Sequence, residues 1–184
     1  MSPTASADPA AVRGVVLLGL PGAGKSTVAP RVAAALGWRW VDVDRAIEAA
    51  AGMSVAEIFA RQGEAVFRAW ERRVTAQVLA ESPPVVLAPG AGWVEDPTHQ
   101  RLLRTGLVGV HLQVDPDTAA ARLTGSAERR PLVGDDDPIE RLSAILARRR
   151  HLYLQAHHTI SVDLMTPDEV VATIVALASG LAGD

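Results

Sequence analysis

Gly19-Leu20-Pro21-Gly22-Ala23-Gly24-Lys25-Ser26 is the stretch on which the reading of this chain turns. It fits G-x-x-x-x-G-K-[ST], the pattern of a phosphate-binding loop. Val15-Val16-Leu17-Leu18 runs into it as a short buried strand, and Ser26 to Leu36, closed by Gly37, follows as a helix. That context is what the chemistry requires. Glycines let the backbone curl until successive N–H groups converge on phosphate oxygens. The positive end of the following helix adds to the attraction. A compact ammonium reaches the β- and γ-phosphates where a planar guanidinium does not fit, and the serine hydroxyl can ligate Mg²⁺. Lys25 is the single lysine among 18 basic residues, and the loop accounts for its place. A nucleoside triphosphate is the implied ligand.

Working outward, apolar runs alternate with helical patterns, the βαβ signature of a parallel sheet. Strands are expected at Trp38 to Val43, Val85 to Leu87, Gly106 to Val114 and Thr159 to Val162, besides the first. Helices are expected at 44–51, 54–80, 115–123 and 138–157, and after Thr166-Pro167-Asp168-Glu169. Pro30 should disturb the first helix. Residues 1–12 are small, aperiodic and Pro-containing and read as a disordered tail. Residues 13–184 read as one domain. The polar stretch 124–137, with two glycines and three consecutive aspartates, reads as a mobile loop.

Composition narrows the function classes. The chain of 184 residues is 48% apolar and 21% charged, enough for a full core without staples. Cysteine is absent, which excludes a disulfide framework, a cysteine nucleophile and a thiolate zinc site. A net charge of −3 provides no basic field for nucleic acid or anionic lipid. No uncharged run reaches the ~18 residues of a membrane span. Met1 to Val12 carries no signal-peptide pattern. The expectation is a monomeric cytoplasmic enzyme with small-molecule ligands and neither nucleic acid nor membrane as partner.

Asp42 and Asp44 stand at the end of the second strand, where open α/β sheets bind ligands. In a two-residue alternation both carboxylates project from one side, so one suits a magnesium shell and the other an attacking hydroxyl. Alternatively, Asp44 simply caps the next helix. His157-His158 lacks a clear acidic partner and reads as structural rather than metal-ligating. Trp38, Trp40 and Trp70 read as core or half-buried aromatics.

The phosphate loop, Asp42-x-Asp44, Phe67-Arg68-x-x-Glu71, the turn Gly90-Ala91-Gly92, Arg130-Pro131-Leu132 and Arg149 before Tyr153 occur in this order. The series resembles the shikimate kinase family, small members of the nucleoside-monophosphate-kinase-like P-loop group, over residues 14 to about 175. The resemblance implies a three-layer α/β/α P-loop kinase fold with a five-stranded parallel sheet in the order 2-3-1-4-5. It implies a substrate-binding segment near 45–72 and a lid near 124–137. The implied reaction is transfer of the ATP γ-phosphate to the 3-hydroxyl of shikimate, with Mg²⁺. Gly22, Ala23, Gly24, Lys25, Ser26, Thr27 and Arg130 would then bind nucleotide, and Ser26 and Asp42 would hold the metal. Asp44, Arg68, Gly90, Ala91, Gly92 and Arg149 would bind shikimate, the two arginines gripping its carboxylate. Lys25, Asp44 and the lid arginine Arg130 would be catalytic, with Asp44 orienting or deprotonating the hydroxyl. Glu71, three residues after Arg68, would steady that guanidinium.

Four departures from the family pattern stand out. Ala91 replaces the middle of three glycines, and Trp93 replaces a small residue that could narrow or support the site. Leu123 stands where an arginine commonly lies near adenine, with Arg122 displaced by one. Pro30 is unusual in its helix. The first two leave open another acceptor, such as gluconate. A non-catalytic nucleotide-binding role is a third reading.

Overall fold

A computed structural model describes residues 13–81, 84–124 and 137–181. The expected tail 1–12 and residues 125–136 of the expected lid, Arg130 among them, lie outside the described residues.

Five strands, β1 (Gly14–Leu18), β2 (Arg39–Asp42), β3 (Val85–Ala88), β4 (Leu107–Gln113) and β5 (His158–Ser161), form a parallel sheet in the order β2-β3-β1-β4-β5. This is the expected fold. Its central strands are continuous apolar runs because both faces are covered; Val15, Val16, Leu17, Val85, Val86 and Leu87 are fully buried. Parallel crossovers are right-handed, so a connection running one way along the sheet lays its helix on the opposite face from one running back. The β1-to-β2 connection runs one way, through α1 (Lys25–Leu36). All the later connections run back. They carry α2 (Val43–Ala51), α3 (Val55–Gln62), α4 (Glu64–Glu81), α5 (Pro97–Leu102), α6 (Pro116–Thr124) and α7 (Pro138–Tyr153). The last helix, α8 (Pro167–Leu181), packs beside α1, which completes three layers. No helix among the described residues is long and apolar enough to cross a membrane.

Three differences from the sequence expectation have local causes. The second strand stops at Asp42, because Asp42 accepts the Arg45 N–H (3.2 Å) and caps α2. Asp44 therefore lies in the first helical turn. It is not the cap, and, being helical, its side chain does not share a strand face with Asp42. The helix expected over 54–80 is two helices. Gly63 (φ 83°) takes its N–H back to Ile58 O (3.0 Å) and the chain restarts, while Ser54 and Glu57 form a capping box that starts α3. The segment after β3, including a 3₁₀ turn at Trp93–Glu95 and α5, has no counterpart in the sequence reading. α1 runs through Pro30 without ending. Trp38 and Trp70 are half-buried against the core, whereas Trp40, on edge strand β2, is 38% exposed.

Candidate active site

The glycine loop joins β1 to α1 at the carboxyl ends of the strands. Gly24 caps α1 in a left-handed conformation (φ 93°), which only glycine adopts at little cost. Gly22 (φ 82°) is also packed so closely that a Cβ would lie 2.5 Å from the Ala119 carbonyl oxygen. Lys25 is buried, its Nζ donating to Gly19 O (2.8 Å) and Leu20 O (3.0 Å), so the ammonium is held over the loop. Ser26 Oγ donates to Asp42 Oδ2 at 3.1 Å. Asp42 thus caps α2 with one oxygen and meets Ser26 with the other. A hydroxyl and one carboxylate are a donor set that suits Mg²⁺, which completes its shell with water and nucleotide phosphates. Among the described residues no cluster of three or more His, Asp or Glu side chains forms an all-protein metal cage. His157 has a structural partner instead, accepting the Gly109 N–H at Nδ1 (3.0 Å).

A cleft of ≈ 340 Å³ opens over the loop. Its lining includes Gly22, Ala23, Gly24, Lys25, Ser26 and Thr27, with Leu123, Val162, Met165, Pro167 and Val170 as an apolar wall. Arg122 borders this wall, and its guanidinium donates to Val162 O (2.7 Å) and Asp163 O (3.4 Å). It ties down the segment after β5, and Leu123 supplies an apolar surface in its neighbourhood.

Pro89 lines the same cleft, and beyond it lies the Gly90-Ala91-Gly92 turn. Asp44, half-buried, faces this turn: a Cβ on Gly90 would lie 3.1 Å from Asp44 Oδ1. Arg68 reaches it from α4, and a Cβ on Gly92 would lie 2.3 Å from Arg68 Nη2. Ala91 creates no strain, because no non-glycine residue among those described has a positive φ. Its carbonyl accepts the Tyr153 hydroxyl (3.0 Å). Trp93 is fully buried behind the turn, stacked on His99 (4.4 Å, 4°), with its indole N–H on Thr75 Oγ1 (3.2 Å). It supports the turn and does not narrow the site.

Arg68 donates to Glu71 Oε2 (2.8 Å) and Glu64 Oε1 (2.9 Å). Glu71 is fully buried; burial pushes its carboxyl up to about 7, against the lowering effect of Arg68, and the Asp44 charge raises it further. Arg149, buried on α7, donates to Glu95 Oε2 (2.9 Å). The sequence reading missed Glu95, whose carboxylate also lies 3.8 Å from Arg68 and 3.3 Å from Arg148. Burial would raise its pKa, but the hydrogen bond from Arg149 and the charges of Arg149, Arg148 and Arg68 outweigh burial and hold it below the usual range. His111 was missed as well. It is buried on β4 and stacked on Tyr153 (4.9 Å), whose hydroxyl burial pushes up to about 12. Burial, with the Lys25 charge second, drives His111 down to about 4, so it is neutral. A histidine in an otherwise apolar central strand was the available signal.

Comparison with known proteins matches the shikimate kinase family model over residues 21–178. Shikimate kinase from Paramagnetospirillum magneticum is 41% identical over 170 residues, covering 92% of this chain and 84% of that protein. The Symbiobacterium thermophilum shikimate kinase is 40% identical, covering 88% and 93%. Among solved structures, shikimate kinase from Acinetobacter baumannii in complex with shikimate superposes with a TM-score of 0.83 at 28% identity, covering 94% of this chain and 96% of that one. A gluconokinase from Sinorhizobium meliloti, at TM-score 0.56 and 19% identity, shares the fold alone.

Proposed function

The chain belongs to the shikimate kinase family, and on that premise we propose that it transfers the ATP γ-phosphate to the 3-hydroxyl of shikimate, in the steps of aromatic amino-acid synthesis. Transfer of a phosphoryl group needs little covalent help from a protein; positioning and charge neutralisation supply most of the catalysis. The loop N–H groups from Gly22 to Thr27 cradle the phosphates, and Lys25 neutralises charge on the β- and γ-oxygens. Ser26 and Asp42 would hold Mg²⁺, which neutralises phosphate charge when bound. Arg130 would add a further positive charge. Asp44, beside the Gly90 turn, accepts a hydrogen bond from the acceptor hydroxyl and directs its oxygen at the γ-phosphorus.

The observation that supports the acceptor assignment is that Asp44 and Arg68 lie against the Gly90-Ala91-Gly92 turn, with Arg149 bonded to Glu95 just after it, next to the phosphate cleft. One carboxylate beside a glycine turn and two guanidinium groups suit a polyhydroxy acid. Guanidinium forks bind a carboxylate with two parallel hydrogen bonds. Trp93 lies behind the turn, which supports an acceptor site of ordinary size in spite of that substitution.

The test is ADP release from Mg·ATP by the purified chain, with and without shikimate. Shikimate-dependent release, lost in Lys25→Met, is expected. Release that shikimate does not stimulate, from protein that still binds ATP, would overturn the reading.

A further inference from the structure

We propose that Glu95 is an internal carboxylate that occupies the arginine clamp until the acceptor's carboxylate replaces it, and so sets the enzyme's affinity for its acceptor. The inference rests on Arg68 and Arg149 forming that clamp. A single Glu95 oxygen, Oε2, lies 2.9 Å from Arg149 Nη2 and 3.8 Å from Arg68 Nη2. It bridges the two cations assigned to the substrate carboxylate, and it is the same chemical group. Glu64 and Glu71 differ: they sit one turn either side of Arg68 on its own helix and orient it. Glu95 comes from another element and joins α4 to α7.

Two features make replacement feasible. Glu95 grips Arg149 at one point only. The Arg149 Nε is buried and has no hydrogen-bond acceptor among the described residues. A buried N–H without an acceptor is a standing cost. An incoming carboxylate that takes Nε together with Nη2 satisfies a donor that Glu95 leaves bare. Glu95 also has a second partner: its Oε1 lies 3.3 Å from Nε of Arg148, whose side chain is 66% exposed. The Glu95 backbone is fixed by its N–H on Gly92 O (3.0 Å), so only side-chain rotation is needed. Rotating outward, it surrenders Arg149 and keeps Arg148, and no carboxylate is left unpaired.

The experiment titrates shikimate into the full chain without nucleotide, and measures shikimate KM alongside. Glu95→Gln keeps the shape and removes the charge; exchanging an ion pair of this exposure is expected to lower Kd about threefold, with KM following. Arg148→Gln removes the outward partner and is expected to raise Kd by about twofold, on the same scale of pair strength. A residue that merely props Arg149 would give the opposite sign in Glu95→Gln. Arg149→Gln is the control for the clamp. If it binds shikimate like the parent, the clamp assignment fails and the proposal with it. If it loses binding while Glu95→Gln binds no tighter, the clamp stands and the proposal is overturned.

Discussion

Single atoms decide the acceptor turn. Its glycines are there for room, since Gly92 has an ordinary helical backbone (φ −85°). A Cβ on Gly92 would meet Arg68 Nη2 at 2.3 Å, the far end of a flexible side chain. The side chain can yield, so folding suffers little, but Arg68 would leave the position in which Glu71 and Glu64 hold it. Gly92→Ala is therefore expected to stay within about 1 kcal/mol of parent stability, since alanine also restricts the unfolded chain. Shikimate KM should rise roughly 10- to 100-fold, as misplacing a binding group by about 1 Å does. Denaturant titration and steady-state kinetics on one preparation separate the two effects; a large loss of stability with an unchanged KM would refute this account. The same scale explains what was legible in the sequence. The phosphate loop was readable because its residues and its chemistry are contiguous. Glu95 was not, because its three arginine partners arrive from α4 and α7, and nothing near Glu95 in the chain announces them.

Elements position these atoms, and here legibility depended on periodicity. The helical pattern over 54–80 continues across Gly63, so only the backbone reveals that α3 and α4 are separate helices. Asp42 and Asp44 were rightly placed at the sheet's carboxyl edge, but the strand ended earlier than its apolar pattern because Asp42 itself caps α2. The 3₁₀ turn at Trp93–Glu95 was invisible because three residues carry no period. Its anchor is Trp93, fully buried and held by Thr75 and the His99 ring. Trp93→Ala removes the largest fully buried side chain beside this turn, and truncation of that kind costs about 3–5 kcal/mol. In a chain of this size that corresponds to a fall in melting temperature of about 10 °C. The same variant should weaken shikimate binding more than ATP binding, because the turn carries Gly92 and Glu95 while the phosphate loop lies on other elements. Scanning calorimetry and two binding titrations check this; an equal loss for both ligands would mean that Trp93 supports the whole sheet edge.

At the scale of the whole molecule, Glu71 and His111 act on stability with opposite signs, and His99, which burial also lowers, acts on the side of His111. Glu71 titrates near 7 when folded, against an ordinary value of 4.5. Its folded pKa is raised, so the folded state binds more protons, and its contribution is fully present below about 4.5 and is lost as pH rises towards about 7. His111 is lowered from 6.5 to about 4. The unfolded state then binds more protons, so its contribution is present above about 6.5 and is lost as pH falls towards about 4. Between pH 4.5 and 6.5 the two slopes oppose each other, each about 1.4 kcal/mol per pH unit at most. The parent protein should gain or lose little from this pair across that window. His111→Leu should shift the balance towards Glu71, so that stability rises less, or falls more, than in the parent as pH goes from 4.5 to 6.5. Glu71→Gln should unmask His111, giving stability that rises over the same interval. Urea titrations of the three proteins at pH 4.5, 5.5 and 6.5 measure the slopes directly, and parallel curves would show that neither group carries the shift argued from its burial. Both groups touch the candidate site: Glu71 accepts from Arg68, and His111 stacks on Tyr153 and feels the Lys25 charge. Burying a carboxyl beside Arg68 and an imidazole near Lys25 therefore leaves its trace in the stability of the entire fold.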